Sequence, residues 1–188
     1  MSVSKRKLLS RAWWLFLALT FLMSGVVLAV ILAIQSNHQN NKQAANQLSA
    51  CLTDTGLTIN QAEPDHKLAG QKLASFTPLA QADKLACIDI KKGQGPAVQI
   101  TDIVTVHYTG ALAKDGTIFE SSLDRGQPAT FSLFQVITGW GEGLPGMQAG
   151  GVRRLIIPAA KAYGNTAQAG IPAGSDLVFD IQLLKIGQ

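Results

Sequence analysis

Residues suited to metal or redox chemistry are scarce in this sequence. Its 188 residues include only two cysteines and three histidines, and none of these fall at the short spacings that bind zinc. There is no phosphate-binding glycine-lysine loop. Neither Cys51 nor Cys87 stands in a signature with a catalytic histidine, which argues against a cysteine nucleophile. Charged residues make up 15% and aromatics 6% of the chain, and no basic stripe is interleaved with aromatics, so nucleic-acid binding is not expected. The net charge of +4 is a local feature: Lys5, Arg6, Lys7 and Arg11 have no acid among them, and beyond them bases and acids balance. No heptad is sustained, which excludes a long coiled coil.

Apolar residues, by contrast, are concentrated at one end. Ala12 to Ile34 carries no charge and is broken only by Thr20, Ser24 and Gly25. As a helix this run is about 34 Å long, enough to cross a hydrocarbon core of about 30 Å. Trp13 and Trp14 stand at its start, where indoles favour the interface, and the basic cluster precedes it. The expectation is a basic cytoplasmic tail over 1–11, a single transmembrane anchor over 12–34, and everything after it across the membrane. A cleaved signal peptide is the alternative, with a shorter apolar core and a small-x-small exit. Leu48-Ser49-Ala50-Cys51 resembles a lipidation box, but the polar stretch Gln35 to Gln47 separates it from the apolar run.

Residues 35–85, rich in Gln, Asn, Ala, Lys and Asp, read as a stem or spacer. Gln43 to Leu52 and Leu79 to Ala86 suit short helical turns, and Ala62-Glu63-Pro64-Asp65 suits a turn. Two cysteines in an oxidising compartment often pair, and a Cys51–Cys87 bond would tie the stem to the start of the next domain. Two unpaired thiols are the alternative.

From about Ala86 the pattern changes to short strands and glycine-rich turns. Ile103 to Tyr108 is dense in β-branched and aromatic residues, and Gly151 to Ile157 is a second candidate strand, stopped by Pro158. In Asp176 to Ile186, Leu177, Phe179, Ile181 and Leu183 alternate with Val178, Asp180, Gln182 and Leu184, which predicts one buried and one more exposed face. Lys114-Asp115-Gly116-Thr117 is a hairpin turn and Ile137 to Leu144 a brief helix. The class is α+β, mainly β with one short helix. Gly141-Glu142-Gly143-Leu144-Pro145-Gly146 matches a dinucleotide-binding fingerprint by letter, but Pro145 and the β-rich context exclude the βαβ unit it requires.

Six segments in order carry a family resemblance: Val106-His107-Tyr108-Thr109-Gly110, Gly116 to Ser122, Gln135-Val136-Ile137-Thr138-Gly139-Trp140, Ala162-Tyr163-Gly164, Gly170-Ile171-Pro172 and Leu177-Val178-Phe179-Asp180. Together they resemble the FKBP-type peptidyl-prolyl cis/trans isomerases over 86–188. The resemblance implies an antiparallel, strongly bent β-sheet wrapped around a short helix. It also implies a proline-binding pocket that needs no cofactor and no metal. By the resemblance, Trp140 is the floor. Tyr108, Phe119 and Phe179 are aromatic walls, and Val136, Ile137 and Ile171 are aliphatic ones. Tyr163 donates a hydrogen bond to the bound carbonyl, with the backbone N–H of Ile137 as a second donor. Glu120 and Arg125 form the polar rim. The catalytic set is then Tyr163, Trp140, Ile137 and Glu120. Proline-containing folding polypeptides are the expected partners and tacrolimus-type macrolides possible ligands. With the anchor, the expectation is a bacterial inner-membrane protein with a periplasmic catalytic domain.

Some positions depart from the family pattern. Glu120 stands where many members have Asp, and Ala129 stands where some place an aromatic, leaving one wall more open. Phe131 and Leu133 are read as core. His107, next to Tyr108 in a strand, is expected to face the other way. A chaperone using the same pocket, and a scaffold with a vestigial one, are the rival functions.

Overall fold

The computed structural model describes residues 51–54, 56–61 and 67–187. The basic tail, the apolar run 12–34, the first part of the stem and the turn expected at Ala62–Asp65 lie outside the described residues. Among the described residues no helix is long and apolar enough to cross a membrane.

The strands are β1 (Leu52–Thr53), β2 (Ala86–Lys91), β3 (Gln94–Ala97), β4 (Ile103–Leu112), β5 (Ile118–Ser121), β6 (Ala129–Ser132), β7 (Gln148–Ala149), β8 (Val152–Ile157) and β9 (Leu177–Gly187). One short helix, α1 (Thr138–Gly143), lies between β6 and β7, and single 3-10 turns occupy Leu123–Arg125 and Ala159–Lys161. The main sheet runs β1-β2-β8-β9-β4-β5, with β6 also paired to β4, while β3 and β7 form a separate ribbon. All main-sheet pairs are antiparallel except β1 with β2. The hairpin expected at Lys114–Thr117 closes β4 onto β5, with Gly116 at φ 72° where a side chain would be strained.

The two faces of the sheet have separate covers. On one, α1 lays Trp140 and Leu144 over Val104, Val106, Tyr108, Leu155, Phe179 and Ile181. The helix comes close because Gly139 and Gly143, four residues apart and so on one side of it, face the sheet. A Cβ at Gly139 would collide with Ile157, and one at Gly143 with Leu155. The buried guanidinium of Arg153 donates to the carbonyls of Gly143 and Pro145 (2.8 and 3.2 Å), satisfying acceptors at the helix end, and it pairs with Asp89.

The other face is covered by part of the expected spacer. Leu68 and Leu73 are buried against Ala111, Ala113, Ile118 and Val178, with Phe76 packed beside them. Residues 67–76, here called the strap, also extend the sheet: Gly70 N donates to Ile118 O and Ile118 N to Gln71 O, at 2.7 and 2.8 Å. Two expectations change as a result. Ordered packing begins before Ala86, and no helix forms over Leu79–Ala86, where Leu79 N donates to Ala113 O and Ala82 N to Asp176 Oδ2. The alternation in β9 gives a more exposed second face only in its later part, at half-buried Gln182 and exposed Leu184, because Val178 and Asp180 are buried beneath the strap.

Asp180 lies under the strap as half of an ion pair. Arg154 donates to it through Nε and Nη2 (2.6 and 2.8 Å), and to the strap carbonyls of Ser75 and Ala74 (2.6 and 2.8 Å). Burial pushes the Asp180 carboxyl above its ordinary range, and Arg154 pulls it back.

Cys51 and Cys87 form a disulfide with a Cα–Cα distance of 4.8 Å, next to the parallel pairing of β1 with β2. Its sulfur engaged in this way, Cys51 is not free for lipidation. The bond closes a loop of sequence separation 36. Replacing both cysteines with serine should lower unfolding free energy by roughly 3–4 kcal/mol. Urea unfolding of the oxidised and double-serine proteins checks this, and equal midpoints would refute it.

Candidate functional site

The polypeptide builds an open cavity of about 290 Å³ between α1, the loop before it and strands β4, β5, β6 and β9. Tyr108, Phe119, Glu120, Phe131, Gln135, Val136, Ile137, Trp140, Tyr163 and Phe179 line it. Tyr108 comes from the middle of β4, Phe119 and Glu120 from β5, and Phe179 from β9. Gly110 on β4 pairs with Phe179, and a Cβ there would lie 2.6 Å from ring carbons of both Phe119 and Phe179. Its missing side chain is the space those two rings share.

Trp140 is 4% exposed and sits among rings set edge to face. Centroid distances are 5.5 Å to Tyr108, 5.5 Å to Phe131 and 5.3 Å to Phe179, at interplanar angles of 83°, 85° and 90°. Such pairs contribute about 0.5–1.5 kcal/mol each beyond their burial. They offset a local cost, because the indole N–H is buried with no hydrogen-bond partner among the described residues. Packing therefore holds this side chain in place.

The polar groups lie at the margin. Tyr163 follows the 3-10 turn Ala159–Lys161, which is tied by Ala159 N to Asp176 Oδ1 (2.8 Å) and by Lys161 to Glu142 of α1. Its ring is part of the wall, and its hydroxyl has no partner among the described residues. The backbone N–H of Ile137, at the start of α1, likewise has no acceptor among the described residues. Burial, and secondarily Glu120, raises the Tyr163 phenol above its ordinary value. The phenol of Tyr108 is also raised by burial, with Arg125 pulling the other way. Arg125 donates to Glu120 Oε1 at 2.7 Å and to the Tyr108 hydroxyl at 3.2 Å.

Most residues singled out from sequence therefore converge here: Trp140, Tyr108, Phe119, Phe179, Val136, Ile137, Tyr163 and Glu120 line one cavity. Arg125 stands at the rim, where it donates to Glu120 and to the Tyr108 hydroxyl. One is placed differently. Ile171 is buried in the core next to the cavity instead of forming its wall. Phe131, expected as core, is a wall residue. It stands two residues after Ala129 on β6 and so has the same facing, and its ring meets Tyr108 and Trp140 edge to face. That parity was the available signal. Gln135 opens one of the six family-like segments, with no role expected of it. His107 hydrogen-bonds Ser122 through Nδ1 at 3.0 Å and stays out of the cavity.

This arrangement agrees with comparison to known proteins. The family model for FKBP-type peptidyl-prolyl cis-trans isomerase matches residues 95–184. A Neisseria meningitidis protein named FK506-binding protein is 46% identical over 101 residues, which is 52% of this chain and 92% of that one. The chain belongs to the FKBP-type peptidyl-prolyl cis-trans isomerase family. The FKBP-type isomerase FkpA of Aeromonas hydrophila is 39% identical over 153 residues, covering 81% of this chain and 56% of that protein. The crystal structure of FkpA from Escherichia coli superposes with a TM-score of 0.52 at 26% identity, covering 99% of this chain and 73% of that one. The chain spans about half the length, or less, of the FkpA relatives it matches.

Replacing Tyr163 with Phe should lower kcat/KM for an X-Pro peptide about tenfold, as loss of one hydrogen bond predicts. Trp140→Leu should cost at least as much. Peptide isomerisation kinetics on variants with unchanged far-UV circular dichroism check both. Unaltered rates in both would remove these residues from the site.

Proposed function

We propose that this protein is a peptidyl-prolyl cis/trans isomerase acting on X-Pro bonds of polypeptides that fold outside the cytoplasm. The observation that carries this reading is an aromatic-walled cavity floored by Trp140, with two unengaged donors, the Tyr163 hydroxyl and the Ile137 N–H, at its edge.

Amide resonance sets the barrier to rotation at about 18–20 kcal/mol, and uncatalysed X-Pro exchange takes tens of seconds or more. The reaction makes and breaks no covalent bond. It needs a site that binds the twisted amide better than the planar one. The planar amide is more charge-separated, so an apolar surround of Tyr108, Phe119, Phe131, Trp140 and Phe179 weakens its resonance. The same rings fit a pyrrolidine. Tyr163 and Ile137 then hold the carbonyl oxygen while the C–N bond turns. Glu120 and Arg125 border the opening.

The uncharged run 12–34 supports a single-pass tether with the basic tail in the cytoplasm, and the Cys51–Cys87 bond suits an oxidising compartment. Together they favour an inner-membrane protein with its isomerase domain in the periplasm. The Neisseria relative's name suggests that FK506-type macrolides, tacrolimus among them, fit the cavity. A chaperone reading is favoured by one observation, the 69% exposed ring of Phe134 immediately before the cavity residues Gln135 and Val136.

Isomerisation of an Ala-X-Pro peptide series, with and without tacrolimus, tests the reading. Fast, drug-sensitive turnover is expected. No turnover by folded protein, with aggregation of an unfolded client still suppressed, would favour the chaperone. Both phenols titrate above the ordinary tyrosine value of about 10, so Tyr163 stays a donor throughout the neutral range. kcat/KM should accordingly be flat from about pH 6 to 9 and fall only at higher pH. A fall centred near neutrality would exclude Tyr163 as the essential donor.

A further inference from the structure

Arg125 reaches two groups at the rim, Glu120 and the Tyr108 hydroxyl, with its guanidinium carbon 5.7 Å from the centre of the Tyr108 ring. Both members of the Arg125–Glu120 pair are about half exposed, at 48% and 49%. An exposed pair of this kind does not fix a long side chain by itself. Its placement depends on the backbone that carries it, a single 3-10 turn, Leu123–Arg125, with no fully buried residue.

That turn is tied to a distant part of the chain. Both carboxylate oxygens of Asp124 accept from strap backbone, Oδ1 from Leu68 N at 2.6 Å and Oδ2 from Ala69 N at 3.0 Å. Leu68 is buried, and Leu123 packs on the same cluster. The strap also hydrogen-bonds β5 at Ile118, next to the cavity residues Phe119 and Glu120. It therefore holds the carriers of both rim charges, Arg125 and Glu120, in one frame. None of the strap lies within residues 95–184, where the family model matches.

We propose that Asp124 is a positioning residue for the isomerase site. Held by the Leu68 and Ala69 amides, it sets Arg125 against Tyr108 and Glu120, and through them the affinity of the rim for substrate. The proposal rests on the isomerase reading. Because it concerns binding at the rim, Asp124→Ala should act on KM more than on kcat.

The test is a double-mutant cycle in the full-length protein, read as kcat/KM on an X-Pro peptide. Asp124→Ala and Arg125→Ala should each lower it about five- to tenfold, and the double variant should lose no more than Arg125→Ala alone. Asp124→Asn, which keeps one acceptor oxygen, should recover part of the loss, and it serves in place of the alanine variant if that one does not fold. Multiplying losses in the double variant, or unchanged kinetics in Asp124→Ala and Asp124→Asn, would overturn the positioning role. A wild-type protein without isomerase activity would instead overturn the reading on which the role rests.

Discussion

Much of this structure depends on one buried ion pair. Arg154 and Asp180 are 2% and 3% exposed, in the middle of a sheet. Moving two charges out of water costs several kcal/mol per ion unless every donor and lone pair is met. The bidentate contact meets only part of that demand. The rest of the guanidinium is satisfied by the Ser75 and Ala74 carbonyls, and Phe76 lies against its carbon at 5.7 Å from ring centre. Without the strap the pair would keep its charges and lose those partners. The strap is thus required by the sheet it covers, and Asp180 directly follows the cavity residue Phe179.

The same requirement explains how an open cavity survives in a small domain. An apolar pocket tends to collapse unless its walls are held from behind. Here β9 is fixed on both faces, by α1 on one and the strap on the other. Gly139 and Gly143 bring α1 close enough for Trp140 to meet three rings edge to face, and Arg153 secures the far end of the helix. Gly110 leaves Phe119 and Phe179 the room to meet at 5.8 Å. The unpartnered indole N–H is a local cost of that placement, carried by the packing around it.

How far sequence reached depended on the range of the interaction. The start of strand β4, the turn at Gly116, helix α1 and the inward positions of β9 follow from local periodicity and turn chemistry, although β4 runs on past Tyr108 to Leu112. The cavity residues followed from motifs at fixed spacing. What local pattern misled on was the outer face of β9, because Val178 and Asp180 owe their burial to a segment about 100 residues earlier. A stretch rich in Gln, Lys and Ala, with weak periodicity, gives no sign that Leu68 and Leu73 are core. Phe131 is a related case, since its parity with Ala129 hints at its facing and the cross-strand pairing with Val104 settles it.

These facts divide the site into two parts with different dependencies. Floor and walls, from Tyr108 to Phe179, are built by helix, sheet and glycine contacts inside residues 95–184, where the family model matches, and the strap enters only as backing behind β9. The rim residues Glu120 and Arg125 are referenced to strap backbone that precedes that region. The contacts that Leu68 and Ala69 make to Asp124 come from main-chain amides and do not depend on their side chains, whereas the acceptor at Asp124 has no substitute among uncharged apolar residues. Strap conformation also depends on Arg154, whose partner Asp180 lies beside Phe179. Rim and wall thus share one mechanical reference although they sit on different strands. A relative with the same motifs but no comparable strap would keep the pocket chemistry and would have to fix its rim by other contacts.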